Sequence, residues 1–255
     1  GRKSCAVDTL LRLFEARILA TFKSKYTQFL VFYVCSFRSE YDRRFLQRLI
    51  ELAISKDTSD SCRIAASCYI GSYVARARTL RLSTAKTALR LLATWVHEYI
   101  DAHDASVSTP DPALHDVFYC AVQAILYALC FRLGQLLKDT RDHTFVPLVL
   151  RLDRVMLCNL NPFKVINHSV VEQFVGACVR HGGDAADPAA LRALLRRNAT
   201  LIVSFAPGVC EESAFFPFDP YSLPTSAHLI DPVYQPWTPG DNAEGLSAAV
   251  AGAGA

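Results

Sequence analysis

The feature that most constrains the fold is an apolar pattern with the period of an α-helix. From Cys5 to about Ser204, apolar residues recur at steps of three and four, and the alternation typical of strands is nearly absent. Helices are expected through Leu10–Phe22, through Phe29–Tyr33, through Phe45–Ala53, and over about 61–78, 84–103, 113–133, 145–158, 165–180 and 189–204. The sequence therefore predicts an all-α chain.

Short links between these helices predict how they pair. The pattern breaks at the polar stretch 55–60, the loop 104–112, Asn161-Pro162 and Gly182-Gly183. Helices joined by short links pack as antiparallel neighbours, and two such helices occupy about 35–50 residues, the range of HEAT-type repeats. We therefore expect residues 1–206 to form a HEAT-type solenoid of antiparallel helix pairs.

The fourth and fifth helices are expected to differ in burial. Apolar residues surround the fourth helix on all sides, and small residues such as Gly71 permit close approach, so this helix is predicted to be central. On a helical wheel of the fifth, Leu91 and Trp95 lie on the predicted buried side. Lys86 and Arg90 lie on the opposite side, which we expect to face solvent or a partner.

The composition changes after Pro207. Seven of the twelve prolines lie in residues 207–239, so a helix cannot continue there. The stretches FFPFDPYSLP (215–224) and IDPVYQPW (230–237) are rich in aromatic residues, which a disordered linker lacks. We predict that residues 207–237 form an ordered, extended strap packed on the last repeats, and that residues 238–255 are disordered.

The charge distribution indicates a charged macromolecular partner. Residues 1–100 hold 17 Lys/Arg against 8 Asp/Glu, whereas residues 207–255 hold 6 acidic residues and no Lys or Arg. Within the acid-free stretch between Asp60 and Glu98, Arg81, Lys86 and Arg90 are the candidate docking residues; the alternative is an ordinary solvated face. The same stretch contains Arg76, which is expected to point inward and to meet an acidic side chain.

Several classes of protein are disfavoured. We find no G-x-S-x-G, Walker-type or H-E-x-x-H motif, so neither an enzyme nor a cofactor is expected. The nine cysteines include no C-x-x-C, which favours buried reduced thiols over a metal site. His97, Asp101 and His103 lie close at a helix end but lack the rest of a coordination shell. The longest nearly apolar run, Val117–Phe131, is expected to be too short to span a bilayer.

Five segments together resemble one family. They are TQFLVFYVCSF (27–37), RIAASCYIGSYVARAR (63–78), FYCAVQAILYALCFR (118–132), LNPFKVINHSVVEQF (160–174) and FFPFDPYSLPTSAHLIDPVYQPW (215–237). In order and content they are similar to the RNA polymerase I-specific transcription initiation factors, over about residues 26–237. The connection HGGDAADPAA (181–190) departs from the family. The positions that we take as its structural signature here are Gly71, Arg76, Phe216, Asp219, Asp231 and Trp237.

The resemblance implies a helical-repeat protein without catalytic activity. It also implies that this protein acts in the nucleus, within the nucleolus. It implies binding to RNA polymerase I near the stalk and a link to promoter-bound selectivity factor at ribosomal RNA genes. This chain is similar to a central-to-C-terminal portion of the family, so the family's regulatory serine-rich region has no counterpart here. Alternatives are a HEAT-type nucleic-acid-binding protein or a general scaffold. Direct DNA contact and homodimerisation stay open.

Overall fold

The computed structural model describes residues 2–19, 21, 24–181, 216–218 and 220–237, and the secondary structure there is helical apart from one isolated β-bridge. The α-helices are α1 (Arg2–Leu13), α2 (Phe29–Cys35), α3 (Ser39–Ile54), α4 (Asp60–Arg76), α5 (Leu82–His103), α6 (Asp116–Leu137), α7 (Leu152–Leu157), α8 (His168–His181) and α9 (Pro224–Ile230). The all-α prediction is confirmed. The helix expected over 189–204 lies outside the described residues.

Short non-α turns interrupt this order. The segments Phe14–Leu19 and Phe145–Leu150 are π-helical, and the segments Asp104–Ser106 and Pro162–Lys164 are 3₁₀-helical. The helix predicted over 145–158 is therefore divided, because Arg151 adopts a left-handed conformation (φ 40°) between the π-helical segment and α7. A non-glycine residue rarely adopts this conformation, and the sequence carries no glycine signal for it.

The chain divides into two compact units. The first contains Gly1–Ala88 together with Phe215–Pro236, and the second contains Leu89–Ala214 together with Trp237–Ala255. Residues 215–236 of the strap thus belong to the unit formed by the first helices, although more than a hundred residues of sequence separate them.

In the first unit, α3 and α4 form an antiparallel pair. The Arg63 side chain donates to the carbonyl of Ala53 (3.2 Å) beside the short link, and the Tyr73 hydroxyl donates to the Asp42 carboxylate at the far end. Every residue of α4 from Ala66 to Arg76 is buried, including Gly71. The predictions of an antiparallel pair and of a central fourth helix are therefore confirmed.

In the second unit, α6 and α8 pack side by side and run in the same direction. The side-chain oxygen of Gln123 accepts from the amide of Asn167 (2.8 Å) near the start of α8, while a Cβ on Gly134 would lie 2.9 Å from the ring of His181 at its end. Corresponding helices of stacked antiparallel pairs run in the same direction, so this arrangement is the one expected between successive helical repeats.

Helix α6 is longer than its apolar run suggested. It has 22 residues, and its most apolar stretch reaches a mean hydropathy of 1.6, so by length and composition it qualifies as a membrane span. The expectation that this segment is too short was wrong, because the helix continues past the buried, hydrogen-bonded Arg132 to Leu137. Because 89% of that stretch is buried within the protein, α6 has the burial of a core helix.

Seven cysteines whose side chains the structure describes carry reduced thiols. Of these seven thiols, six are buried and Cys62 is half-buried, which confirms the prediction of buried reduced thiols for this part of the chain. Burial raises the pKa of the Cys35 and Cys130 thiols to about 12 and that of Cys158 to about 11. A thiol with a raised pKa carries little nucleophilic thiolate at neutral pH, which disfavours cysteine-based catalysis.

Candidate functional site

The strap is anchored in the first unit through Phe218. This side chain is fully buried, and its ring lies 4.9–5.5 Å from the rings of Phe29 and Phe32 on α2 and Tyr69 on α4. Its backbone amide donates to the hydroxyl of Ser72 (3.0 Å). The all-round apolar surface of α4 explains this contact, since a helix that is apolar on every side needs a neighbour on every side.

A second attachment lies at the end of α4. Tyr234 forms an antiparallel bridge with Ala77, in which the Arg78 amide donates to the Val233 carbonyl (2.9 Å) and the Gln235 amide donates to the Arg76 carbonyl (2.7 Å). The Tyr234 hydroxyl donates to the Phe218 carbonyl (2.8 Å), which links the two attachments. The strap therefore closes over α4 at two points.

Arg76 is the charged residue of this site. Its side chain is buried, its guanidinium donates to the carbonyl of Gln235 (3.2 Å), and it lies 5.5 Å from the centre of the Tyr234 ring. The predicted inward orientation is confirmed. These two contacts offset part of the free-energy cost of desolvating the guanidinium. That an acidic side chain also pairs with Arg76 stays a prediction.

Two expectations about the strap need correction. Its described residue Phe218 packs on α2 and α4 near the start of the chain, where the expectation had been the last helices, because these two helices present aromatic rings to it. The strap is also not extended throughout, since α9 interrupts it. Within the second unit, the Trp237 ring at the end of the strap lies 5.2 Å from the ring of Phe131 on α6.

The remaining signature positions of the strap have different environments. Phe216 is half-buried, and Asp231 is exposed with its amide donating to the Ala227 carbonyl (2.8 Å) at the end of α9. Asp219 lies outside the described residues. The residues that fix the strap most firmly, Phe218 and Tyr234, are absent from the predicted signature; the aromatic residues beside prolines in both stretches were the available signal.

A buried acid lies beside this site. Asp42 on α3 is buried and accepts a hydrogen bond from Tyr73. Burial raises the pKa of its carboxyl, although this hydrogen bond and, to a smaller extent, the charge of Arg81 oppose the shift. Burial, and to a smaller extent the charge of Asp42, raises the pKa of Cys35. The sequence analysis did not identify Asp42. The available signal was an acidic residue that lies among the regularly spaced apolar residues of α3.

The three predicted docking residues do not share an exposed face. Arg81 is exposed, but Lys86 is only 6% exposed, so the expectation that it faces solvent was wrong. The buried side of α5 is formed largely by small and aliphatic residues, namely Ala85, Ala88, Leu89, Leu92, Ala93, Val96 and Ile100. This side is rotated from the predicted one toward Lys86, and it leaves Leu91 43% exposed.

Arg90 is exposed, and its guanidinium lies 6.0 Å from the centre of the Phe145 ring. A cation–π contact involves no hydrogen-bond acceptor, so it leaves the N–H groups of Arg90 available to a partner. Arg81 and Arg90 therefore keep the exposure that docking requires, each considered alone.

The polar residues at the end of α5 have separate partners. The Nε2 of His97 lies 3.1 Å from the carbonyl of Leu150 and therefore donates to it; burial lowers the pKa of this histidine. Asp101 pairs with Arg154, which lowers the pKa of its carboxyl, and the His103 ring stacks on Tyr99 at 4.0 Å. Among the described residues, no group of three or more metal-ligating side chains is present.

The chain is similar in sequence to proteins of one known family. The family model described as RNA polymerase I specific transcription initiation factor RRN3 matches residues 1–242. The mouse RNA polymerase I-specific transcription initiation factor RRN3 is 34% identical over 92% of the chain and 37% of the mouse protein. The fission yeast (Schizosaccharomyces pombe) factor rrn3 is 30% identical over 90% of the chain and 38% of that protein.

A solved structure supports the same fold. The crystal structure of RNA polymerase I transcription initiation factor Rrn3 superposes with a TM-score of 0.73 at 22% identity, over 95% of this chain and 50% of that one. At this identity the match shows the helical-repeat fold alone. The chain spans 37–38% of the length of the mouse and fission yeast relatives.

Proposed function

Because this chain belongs to the family of RNA polymerase I-specific transcription initiation factors, we propose that it acts in transcription initiation by RNA polymerase I. The observation that carries the proposal is the match of one family model to residues 1–242, which confirms the resemblance seen in the sequence. The chain works as a non-catalytic bridge in the nucleolus of the nucleus. It binds the polymerase near its stalk and links it to promoter-bound selectivity factor.

The packing supports a binding role over a catalytic one. The polar side chains held in the first unit serve the strap and the α3–α4 pair: Ser72 and Arg76 hold strap backbone, and Asp42 holds Tyr73. Such contacts fix the helices relative to the strap within this unit, and a rigid surface binds a partner at a lower cost in conformational entropy.

Arg81 and Arg90 are the residues of this chain that we propose to contact the polymerase. Each is exposed, and neither forms an ion pair with another described residue. An exposed ion pair contributes about 0.2–1 kcal/mol, so two lost pairs would weaken binding by about 2- to 30-fold.

Direct nucleic-acid binding is the second candidate, favoured by the basic excess of residues 1–100. The structure reduces the basic surface available for it in the stretch 63–90. Arg76 and Lys86 are buried, and Arg63 pairs with Asp60 at 3.0 Å.

The test is capture of purified RNA polymerase I by the full chain in the absence of DNA, with duplex DNA binding measured in parallel. Wild-type chain is expected to capture the polymerase. The Arg81→Glu/Arg90→Glu variant should bind it at least a few-fold more weakly, because attraction becomes repulsion. The matched control is Arg43→Glu, which changes an exposed arginine of the charged outer side of α3. Absence of capture, or loss of DNA binding alone in the double variant, would contradict the proposal.

A further inference from the structure

Helix α2 is apolar on two opposite sides. On its inner side, Phe29, Phe32 and Cys35 are 1–3% exposed. On its outer side, Leu30 is 57% exposed and Phe37, just beyond its end, is 60% exposed. A helix that is apolar all round is ordinarily covered all round, so the composition of α2 indicates a second cover, on the outer side.

The outer residues form a continuous stripe. Tyr26, Leu30, Tyr33 and Phe37 follow one another at steps of four, three and four residues, which places them on one side of a helix. Helical turns extend beyond both ends of α2, since the Phe29 amide donates to the Tyr26 carbonyl (3.0 Å) and the Phe37 amide to the Val34 carbonyl (3.2 Å). We call these four residues the α2 stripe; it is about 16 Å long.

The neighbouring helix α3 shows what an ordinary outer face looks like in this unit. Its exposed side carries Arg43, Gln47, Arg48 and Glu51. Arg48 forms ion pairs with Glu15 (2.6 Å) and Glu51 (3.2 Å). Against this charged surface, a stripe with two strongly exposed large apolar residues has the character of an interaction site.

One cationic side chain lies beside each end of the α2 stripe. Residues 24–39 contain two charged side chains, Lys25 and Arg38, one at each end, and both are exposed. The guanidinium of Arg38 forms no ion pair within the described part of the chain. The strap borders the stripe where the Tyr26 hydroxyl meets that of Ser222 (3.0 Å), and strap residues 220–230 contain no acidic side chain.

We propose that the α2 stripe is a docking site for an amphipathic helix of a partner protein that carries an acidic residue at each end of its apolar face. Apolar residues at three- and four-residue steps on the partner would pack against the stripe, as in other helix-in-groove contacts. Its terminal carboxylates would pair with Lys25 and Arg38, which fixes the position of the partner along the stripe. This surface uses none of the contact residues assigned above.

The same charges argue against a second copy of this chain as the occupant. If two copies met in an antiparallel way, Lys25 of each would lie beside Arg38 of the other. If they met in a parallel way, each cation would lie beside its own counterpart. Like charges meet in both cases, which opposes association. A partner with acidic ends meets no such repulsion.

The test uses the full chain and a labelled designed peptide. The peptide has about 16 residues, leucines at steps of four, three and four, and glutamate at both ends; a matched peptide carries lysine at the ends. By fluorescence anisotropy, the glutamate peptide should bind at least about tenfold more tightly than the lysine peptide, and the difference should shrink as salt is raised. Lys25→Glu/Arg38→Glu should reverse the preference.

Variants of the apolar residues complete the test. Phe37→Ala should weaken binding of the glutamate peptide at least about tenfold, because exposed aromatic anchors carry much of the affinity of such contacts. The control is Leu148→Ala, which removes a 67% exposed leucine elsewhere and should leave binding unchanged. Circular dichroism should be unchanged in both variants.

Three results of the peptide experiments would overturn the proposal. They are equal binding of the two peptides, binding that is insensitive to Phe37→Ala, and the absence of binding at a peptide concentration of about 1 mM. A dimer of the chain that Phe37→Ala dissociates would also overturn it by assigning the stripe to a second copy. None of these results depends on capture of the polymerase, so the two proposals fail separately.

Discussion

Helices α4 and α5 follow one another along the chain but are buried in different ways. In α4 every residue from Ala66 to Arg76 is buried, whereas α5 alternates buried residues with exposed ones such as Thr87, Leu91 and Thr94. Sequence reasoning placed α4 correctly and placed the buried side of α5 too far toward Leu91. The two predictions differ because the rotation of the helix about its axis determines which residues are buried in α5 but not in α4.

An all-round apolar helix leaves no orientation to choose, because any placement in the interior buries the same residues. A helix that is buried on one side only must be oriented about its axis. In α5 the large apolar residues suggested one buried side, whereas the side that is buried in the structure contains several alanines. Ala85, Ala88 and Ala93 are at most 2% exposed. Small side chains allow close approach of a neighbouring helix, so α5 packs on them and leaves Leu91 outside.

The largest effect is expected where the strap completes the cover of α4. Phe218→Ala removes a fully buried ring from among four other rings, and such a change costs about 3–5 kcal/mol of unfolding free energy. Urea denaturation of the full chain measures it. Phe37→Ala, which truncates an exposed ring of the same size, is the matched control and should cost far less. Equal losses would mean that α4 does not depend on the strap.

The next effect tests the orientation of α5 at two adjacent residues. Leu92 is fully buried, so Leu92→Ala should cost about 2–5 kcal/mol. Leu91→Ala should change stability by about 0.5 kcal/mol or less, as expected for an exposed site. Thermal and urea unfolding of both variants compare them directly. If Leu91→Ala proved the more damaging, the buried side would be the one that the helical wheel first suggested.

The smallest effect concerns the acid that supports α4 through Tyr73. Burial raises the pKa of Asp42 in the folded chain above the unfolded value, so the folded state binds this proton more tightly. As the pH falls from about 7 to about 4, the wild type should therefore gain stability relative to Asp42→Asn, whose amide does not titrate. Urea denaturation across this range measures the difference between the two chains. A difference that stays constant with pH would show that the carboxylate is well solvated.

The sequence was informative about local order and uninformative about long-range partners. The helices α3, α4 and α6, the inward Arg76 and the buried thiols follow from periodicity and composition. The aromatic residues between prolines predicted an ordered strap, but nothing within residues 207–237 specifies α2 and α4 as the surface it covers. The exposure of Lys86 and the role of Asp42 depend on how helices are rotated against each other, which one helical wheel does not contain.

The return of the strap to α4 has a consequence for the synthesis of the chain. The first unit is discontinuous in sequence, because Phe215–Pro236 complete a body begun by Gly1–Ala88. At a synthesis rate of roughly 5–20 residues per second, the intervening segment takes on the order of 10 s to emerge from the ribosome. During that time the surface of Phe29, Phe32 and Tyr73 that Phe218 covers is exposed to water. Until residues 215–236 emerge, the nascent chain therefore exposes aromatic surface of the kind that chaperones bind.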